Sequence, residues 1–193
     1  MTDLDKTEQA VLDRIEQESM LERTMAWARI NSGTKNLPGL AAMAQQLADA
    51  FAQLPGEIEL VQPDPVETME PDGTVQQLER GRHLVATVRP DAPVQLLFTG
   101  HMDTVFPAES SFQELSWRED NILNGPGVAD MKGGIAVMLH ALLAVEASDT
   151  GQRIGYQIMI NSDEEVGSGS SAALIKRLAQ GKTAALTYEP ALP

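Results

Sequence analysis

The chain has 193 residues, enough for one domain with a substantial core. It carries 28 acidic against 14 basic residues, a formal net charge of −14, which argues against a nucleic-acid or anionic-membrane partner. Cysteine is absent, so a disulfide framework and a thiolate site are both excluded.

The amino-terminal stretch MTDLDKTEQAVLDRIEQ is acidic and amphipathic and lacks the basic start and apolar core of a signal peptide. No apolar run is read as approaching the ~20 residues of a membrane span. A soluble, cytoplasmic protein is expected. Between Leu4 and Ile30, apolar residues recur at helical spacing (Val11, Leu12, Ile15, Met20, Leu21, Met25, Ile30). This predicts one or two helices ending at the turn Asn31-Ser32-Gly33. Leu40 to Leu54 reads as another amphipathic helix, stopped by Pro55-Gly56. Ile58 to Val61 reads as a short strand, and Pro63 to Gly81 as a loop or mobile hairpin. Two strands follow, His83 to Val88 and Val94 to Thr99.

Ser111 to Asn124 is irregular, with room for a small hairpin around Asp120-Asn121. Met131 to Val145 is apolar on nearly every side and predicts a buried helix. Ile154 to Ile160 reads as a buried strand, Ser168 to Leu178 as a helix with serines at its start, and Thr183 to Tyr188 as a last strand. Strands alternating with helices predict an α/β fold, a sheet with helices on both faces.

In open α/β sheets ligands bind beyond the carboxyl ends of the strands. The chemically unusual residues fall there. His101 and Asp103 end one strand, Asp130 precedes the buried helix, Glu164 and Glu165 follow another strand, and Glu189 follows the last. Five carboxylates and one imidazole on a single rim would repel unless a cation sat among them. Nitrogen and oxygen donors without sulfur suit Zn²⁺, and also Mn²⁺ or Co²⁺. Each residue has a plainer role open to it. Asp130 suits a helix N-cap, Glu164 and Glu165 a solvated pair, Glu189 a strand-end charge, and His101 a hydrogen-bonded turn. Their joint occurrence at separate strand ends favours the metal. His83, taken to begin a strand at the opposite end, and His140, inside the apolar helix, read as structural, His140 as a satisfied core residue.

The stretch NGPGVADMKGG has G-x-G at Gly125 and Gly127. Asp130 stands where a dinucleotide fingerprint needs its third glycine, and no P-loop Lys-Ser or Lys-Thr follows. GSGSS at 167–171 does not give the G-x-S-x-G of a serine hydrolase.

GHMDTV, GPGVADMKGG, SDEEVGS and YEP, in that order between Gly100 and Pro190, resemble the motifs of the M20 metallopeptidases. That family includes glutamate carboxypeptidases, acetylornithine deacetylases, succinyl-diaminopimelate desuccinylases and aminoacylases. The resemblance implies a zinc-exopeptidase-like catalytic domain, a mixed sheet flanked by helices, binding two zinc ions and hydrolysing an amide bond. It implies His101 and Glu189 as ligands of one metal, Glu165 as ligand of the other and Asp130 as the bridge. Glu164 would be the general base and Asp103 the orienter of His101. The substrate would be a small peptide or N-acyl amino acid, with Glu189 leaning toward the carboxypeptidase-like members. A cis peptide after Asp130 is also implied.

The same resemblance implies one more histidine ligand near the family's carboxyl terminus. It also implies a lid domain inserted after the YEP segment, through which the complete enzyme would form a homodimer. Residues 1–193 are therefore expected to be the N-terminal part of the catalytic domain, without the lid or the C-terminal part. A truncated fragment that is inactive by itself, keeping a partial metal site and binding only metal or a partner chain, is the alternative.

Overall fold

A computed structural model describes residues 4–119 and 121–191. Three helices open the chain, α1 (Lys6–Leu12), α2 (Gln17–Ala28) and α3 (Leu37–Phe51). Asp5 caps α1, its carboxylate accepting from the Thr7 and Glu8 N–H groups, while Glu8 reaches back to the Asp5 N–H. Asn36 caps α3, with Pro38 in its first turn. Strands β1 (Glu57–Val61), β2 (Val66–Met69), β3 (Val75–Leu78), β4 (His83–Val88) and β5 (Val94–His101) follow. β2 and β3 form an antiparallel hairpin, the second of the two forms expected for Pro63 to Gly81.

Next come β6 (Ser116–Glu119) and β7 (Ile122–Asn124), which pair antiparallel; Asp120, named in the hairpin expected there, lies outside the described residues. The chain continues through α4 (Gly133–Glu146), β8 (Ile154–Asn161), α5 (Ala172–Leu178) and β9 (Ala184–Thr187).

The main sheet has the order β1-β4-β8-β5-β9. β1 with β4 and β4 with β8 pair antiparallel, while β8 with β5 and β5 with β9 pair parallel. This is the expected mixed sheet. Both faces are covered. On one, α2, α3 and α4 pack Trp27, Leu40, Leu47, Phe51, Ile135 and Leu139 against Leu84, Ala86, Phe98 and Ile158. On the other, Leu174 and Leu178 of α5 pack on Val85, Leu97 and Met159. Alternate residues of β4, β5 and β8 thus meet apolar surface on both sides, which is why these segments read as continuous apolar runs.

Three expectations are corrected. The run Val128–Glu146 is, at 19 residues, long and apolar enough to cross a membrane by length and composition alone. Here it supplies the central helix, with Ile135, Ala136, Met138, Leu139 and Leu142 buried in the core. α5 starts at Ala172 rather than Ser168, because Ser170 and Ser171 before it are spent on a buried carboxylate, Asp163. Finally, β4 runs antiparallel to β8, so His83 begins its strand at the same rim where β8 ends.

Candidate metal centre

The rim follows from strand register. In the parallel trio β8-β5-β9, His101 lies opposite Asn161 and Thr99 opposite Thr187. The residues just past those ends, Glu164, Glu165 and Glu189, are therefore delivered around His101. Asp130 arrives from the helical side. It sits in a kinked turn before α4 at φ −118°, ψ 100°, and its peptide bond to Met131 is cis, as the resemblance implies. Gly134 lets α4 come close to the end of β9, since a Cβ there would collide with the Tyr188 carbonyl next to Glu189. Gly127 holds φ +68° at the start of the same turn, a left-handed conformation suited to glycine.

The distances are short. His101 Nε2 is 2.9 Å from Asp130 Oδ1, 3.6 Å from Glu189 Oε2 and 3.9 Å from Glu164 Oε2. One ligating atom each from His101, Asp130 and Glu165 lies within 4.8 Å of the others, a group able to hold a metal ion. His101 is 1% exposed, whereas the side chains of Asp130, Glu164 and Glu189 are 54%, 49% and 39% exposed, so the cluster opens to solvent on its carboxylate side.

Asp103 is fully buried and ties the site together. Its backbone carbonyl is 3.0 Å from His101 Nδ1 and its Oδ1 is 3.3 Å from the same nitrogen. The carboxylate also accepts from the Thr34 hydroxyl at 2.7 Å and from the backbone N–H groups of Glu164 and Glu165 at 3.1 and 3.3 Å. One carboxylate thus contacts the imidazole and the backbone of both glutamates, an arrangement that resembles carboxylates behind metal-binding histidines.

The electrostatics suit a cation at the cluster. No lysine or arginine among the described residues pairs with these carboxylates. Glu165 is pushed above the usual carboxylate range by burial and then by the charge of Asp130. Glu189 is raised by burial, which the nearby His101 opposes and Asp130 and Glu164 reinforce. Burial lowers the His101 pKa, but hydrogen bonding and charge from Asp103, followed by Glu189 and Asp130, outweigh it and carry the pKa up to about 9 from 6.5. Both ring nitrogens face acceptors, as an imidazolium requires.

Raising the folded-state pKa means that this proton stabilises the metal-free fold fully below pH 6.5, a contribution lost as pH climbs toward about 9. A metal needs the unprotonated Nε2. Zinc affinity is therefore expected to rise by up to about tenfold per pH unit across this interval, one proton leaving per ion bound. Chelator competition in buffers spanning it checks this, and a flat profile would remove His101 from the ligand set.

Sequence reasoning missed several supporting residues. Thr34, and Ser32, which was noted only as part of a turn, clasp the end of β5, with the Ser32 hydroxyl donating to the Met102 carbonyl at 2.7 Å. Asp163, in the same SDEE run as the glutamates, is buried and accepts from the Ser170 N–H at 2.6 Å and from the Ser170 and Ser171 hydroxyls at 2.9 and 2.7 Å. These bonds fold the loop carrying Glu164 and Glu165 back on itself. Lys132 is 1% exposed, its Nζ donating to the Ile30 and Trp27 carbonyls at 2.7 and 3.2 Å. It joins the Asp130 turn to the end of α2.

His83 is at the rim but buried, its Nδ1 accepting from the Ser162 N–H at 3.3 Å and its Nε2 lying 3.2 Å from the Ser170 carbonyl. His140 is half-buried, and its Nε2 has no partner among the described residues, so it is not the satisfied core histidine expected.

Residues 97–192 match the model of peptidase family M20/M25/M40. That part of the chain belongs to the family. Among curated relatives, carboxypeptidase G2 of Pseudomonas sp. (strain RS-16) is 33% identical over 111 residues, covering 57% of this chain and 26% of its own length. Succinyl-diaminopimelate desuccinylase of Methylorubrum populi is 38% identical over 94 residues, 43% of this chain and 22% of its own. The fold is that of human carnosine dipeptidase 1, with a TM-score of 0.73 at 21% identity over 93% of this chain and 39% of that one. A dipeptidase from Saccharomyces cerevisiae aligns with a TM-score of 0.71 at 17% identity, covering 93% and 40%. The chain spans about a quarter of the curated relatives it matches and about two fifths of these structures.

Proposed function

We propose that this chain carries the metal-binding part of a zinc-dependent hydrolase that cleaves an amide bond in a dipeptide or an N-acyl amino acid. The observation that carries the reading is the gathering of His101, Asp130 and Glu165 ligating atoms within 4.8 Å. Relatives named as a carboxypeptidase and a desuccinylase support the bond type.

In this reading His101 and Glu189 would hold one ion and Glu165 a second, with Asp130 available to both. Cobalt or manganese could replace zinc in such a nitrogen–oxygen donor set. The bound metal supplies Lewis acidity, polarising the scissile carbonyl and lowering the pKa of the attacking water from ~16 toward ~7. Glu164, its backbone fixed on Asp103 and its side chain about half exposed, takes the proton from that water and delivers it to the leaving amine. Asp103 keeps the His101 ring in one orientation throughout. Different jobs for the two glutamates are supported by their surroundings, Glu164 lining the cavity shared with Glu189 and Glu165 the one bordered by Val166.

A second reading has its own support. Among the described residues, the ion held by His101 would receive three side chains, but the other would receive only Asp130 and Glu165. Two carboxylates without an imidazole hold zinc weakly. The chain by itself would then bind one ion tightly and turn over nothing. Elemental analysis of the purified chain after dialysis against zinc, with assays on N-acyl amino acids and dipeptides, separates the two. One tight ion without hydrolysis is expected for the chain alone. Two tight ions with turnover would show the chain to be a sufficient catalyst, and no tight ion would end the metal reading.

A further inference from the structure

Lys132 is the one fully buried lysine or arginine among the described residues, and no carboxylate among them pairs with it. Its ammonium rests instead on the Ile30 and Trp27 carbonyls, at 2.7 and 3.2 Å, at the end of α2. The carboxyl end of a helix suits a cation. Even so, burying an ammonium without a counter-charge costs free energy that an apolar side chain of similar length would spare. The lysine also comes from far along the chain, two positions after Asp130.

Asp130 does little to place itself. Its side chain is 54% exposed, and its one hydrogen-bond partner among the described residues is His101 Nε2. Its backbone and that of Met131, at φ −128°, ψ 32°, are both non-helical, so no regular helix bonds set its direction. The two residues that follow it anchor the turn. Met131 sits against β5, its sulfur 3.1 Å from the His101 backbone nitrogen, and a Cβ on Gly100 would lie 3.0 Å from its terminal methyl. Lys132 ties the same turn to α2, and a Cβ on Gly127 would lie 3.1 Å from the lysine Cδ, so the turn closes over the stem. The segment after α2 grips β5 as well. The Ser32 hydroxyl donates to the Met102 carbonyl and the Thr34 hydroxyl to the Asp103 carboxylate, both at 2.7 Å. The Thr104 N–H donates to the Ser32 carbonyl at 3.1 Å, and the Thr34 N–H to the Thr104 carbonyl at 3.2 Å. Residues 30–34 thus hold both the strand that carries His101 and the turn that carries Asp130.

We propose that Lys132 is a positioning residue for the metal centre, its ammonium on the Ile30 and Trp27 carbonyls fixing the separation of the Asp130 carboxylate from the His101 imidazole. The proposal rests on the metal-centre reading. Hydrogen bonds are directional, so they set where the turn stands, which an apolar side chain filling the same slot would not do.

Lys132→Met keeps the length of the side chain and removes its donors. Cobalt(II) in place of zinc makes the coordination geometry visible in the absorption spectrum. Lys132→Met is expected to weaken cobalt binding by about 10–100-fold, the range for losing a residue behind a ligand, and to change the absorption bands. The chain has no cysteine, so aminoethylating an unfolded Lys132→Cys chain puts an ammonium back at that position alone. Refolding is expected to restore the parent affinity and spectrum. Leu47→Ala, which opens a cavity in the core away from the turn, should lower stability and leave both unchanged. Parent-like affinity and bands in Lys132→Met, the same change in Leu47→Ala, or no recovery on aminoethylation would each overturn the proposal. If Lys132→Met does not fold, Lys132→Gln, whose shorter amide cannot span the same gap, is judged by the same criteria. If the parent chain binds no cobalt, the metal reading has failed on its own. Lys132 is then judged in the metal-free chain, in mildly acidic buffer, by the His101 Nε2 proton resonance, which reports the contact with Asp130. A shift in Lys132→Met is expected there, and an unchanged resonance overturns the proposal.

Discussion

Asp130→Ala is expected to weaken zinc binding by at least about 100-fold, more than the 10–100-fold typical of losing a residue behind a ligand, while leaving the metal-free fold nearly as stable. Asp130 is the carboxylate nearest the imidazole, 2.9 Å from His101 Nε2, and it belongs to the group of ligating atoms that lie within 4.8 Å of one another. If it serves both ions, its loss lowers both affinities at once. The cost to the fold is small because the side chain is 54% exposed, so its contact with a protonated His101 is screened. Its removal also relieves the repulsion felt by Glu165 and Glu189. The equivalent change at His101 would be a poorer experiment, since that ring is buried and its loss would leave Asp103 short of a partner. Calorimetric titration with zinc, alongside thermal unfolding of the metal-free variant, measures both quantities. An Asp130→Ala chain that binds zinc as tightly as the parent would mean that Glu165 or Glu189 carries the ion with His101, and that Asp130 is only a turn residue.

The site was legible because its donors sit at strand ends, where sequence position and spatial position coincide. Once β5, β8 and β9 are read as parallel, the residues following Thr99, Asn161 and Thr187 must share one rim. The supporting residues were not legible for the opposite reason. Thr34 and Asp103 are 69 residues apart, and Lys132 reaches carbonyls 102 and 105 residues before it. Such contacts depend on how α2 and α3 dock, which periodicity does not encode. His83 was misplaced because its strand was assigned a direction without its partner. In a mixed sheet the antiparallel β4 begins where its neighbour ends. The start of α5 was misjudged because serines favour helix starts by bonding backbone N–H groups. Here a nearby buried carboxylate, Asp163, claims those hydroxyls instead.

Glu164→Gln should separate the two adjacent glutamates. In the zinc-loaded protein that carries this chain and hydrolyses its substrate, the rate is expected to fall by about 10²–10⁴-fold, the range lost with a general acid–base group, with zinc content unchanged. Glutamine keeps the size of the side chain and the backbone N–H that donates to Asp103, so the geometry should survive. It cannot accept a proton at neutral pH, so the attacking water loses its base. Glu165→Gln should do the reverse, lowering zinc content first and activity as a consequence, because its carboxylate lies in the group with His101 and Asp130. The assignment is exposed to a clear failure. Glu164 Oε2 is 3.9 Å from His101 Nε2, close enough for a rotamer change to make it a ligand. Loss of zinc from Glu164→Gln with retention in Glu165→Gln would therefore exchange the two roles, while the rim, its imidazole and Asp103 behind it would stand.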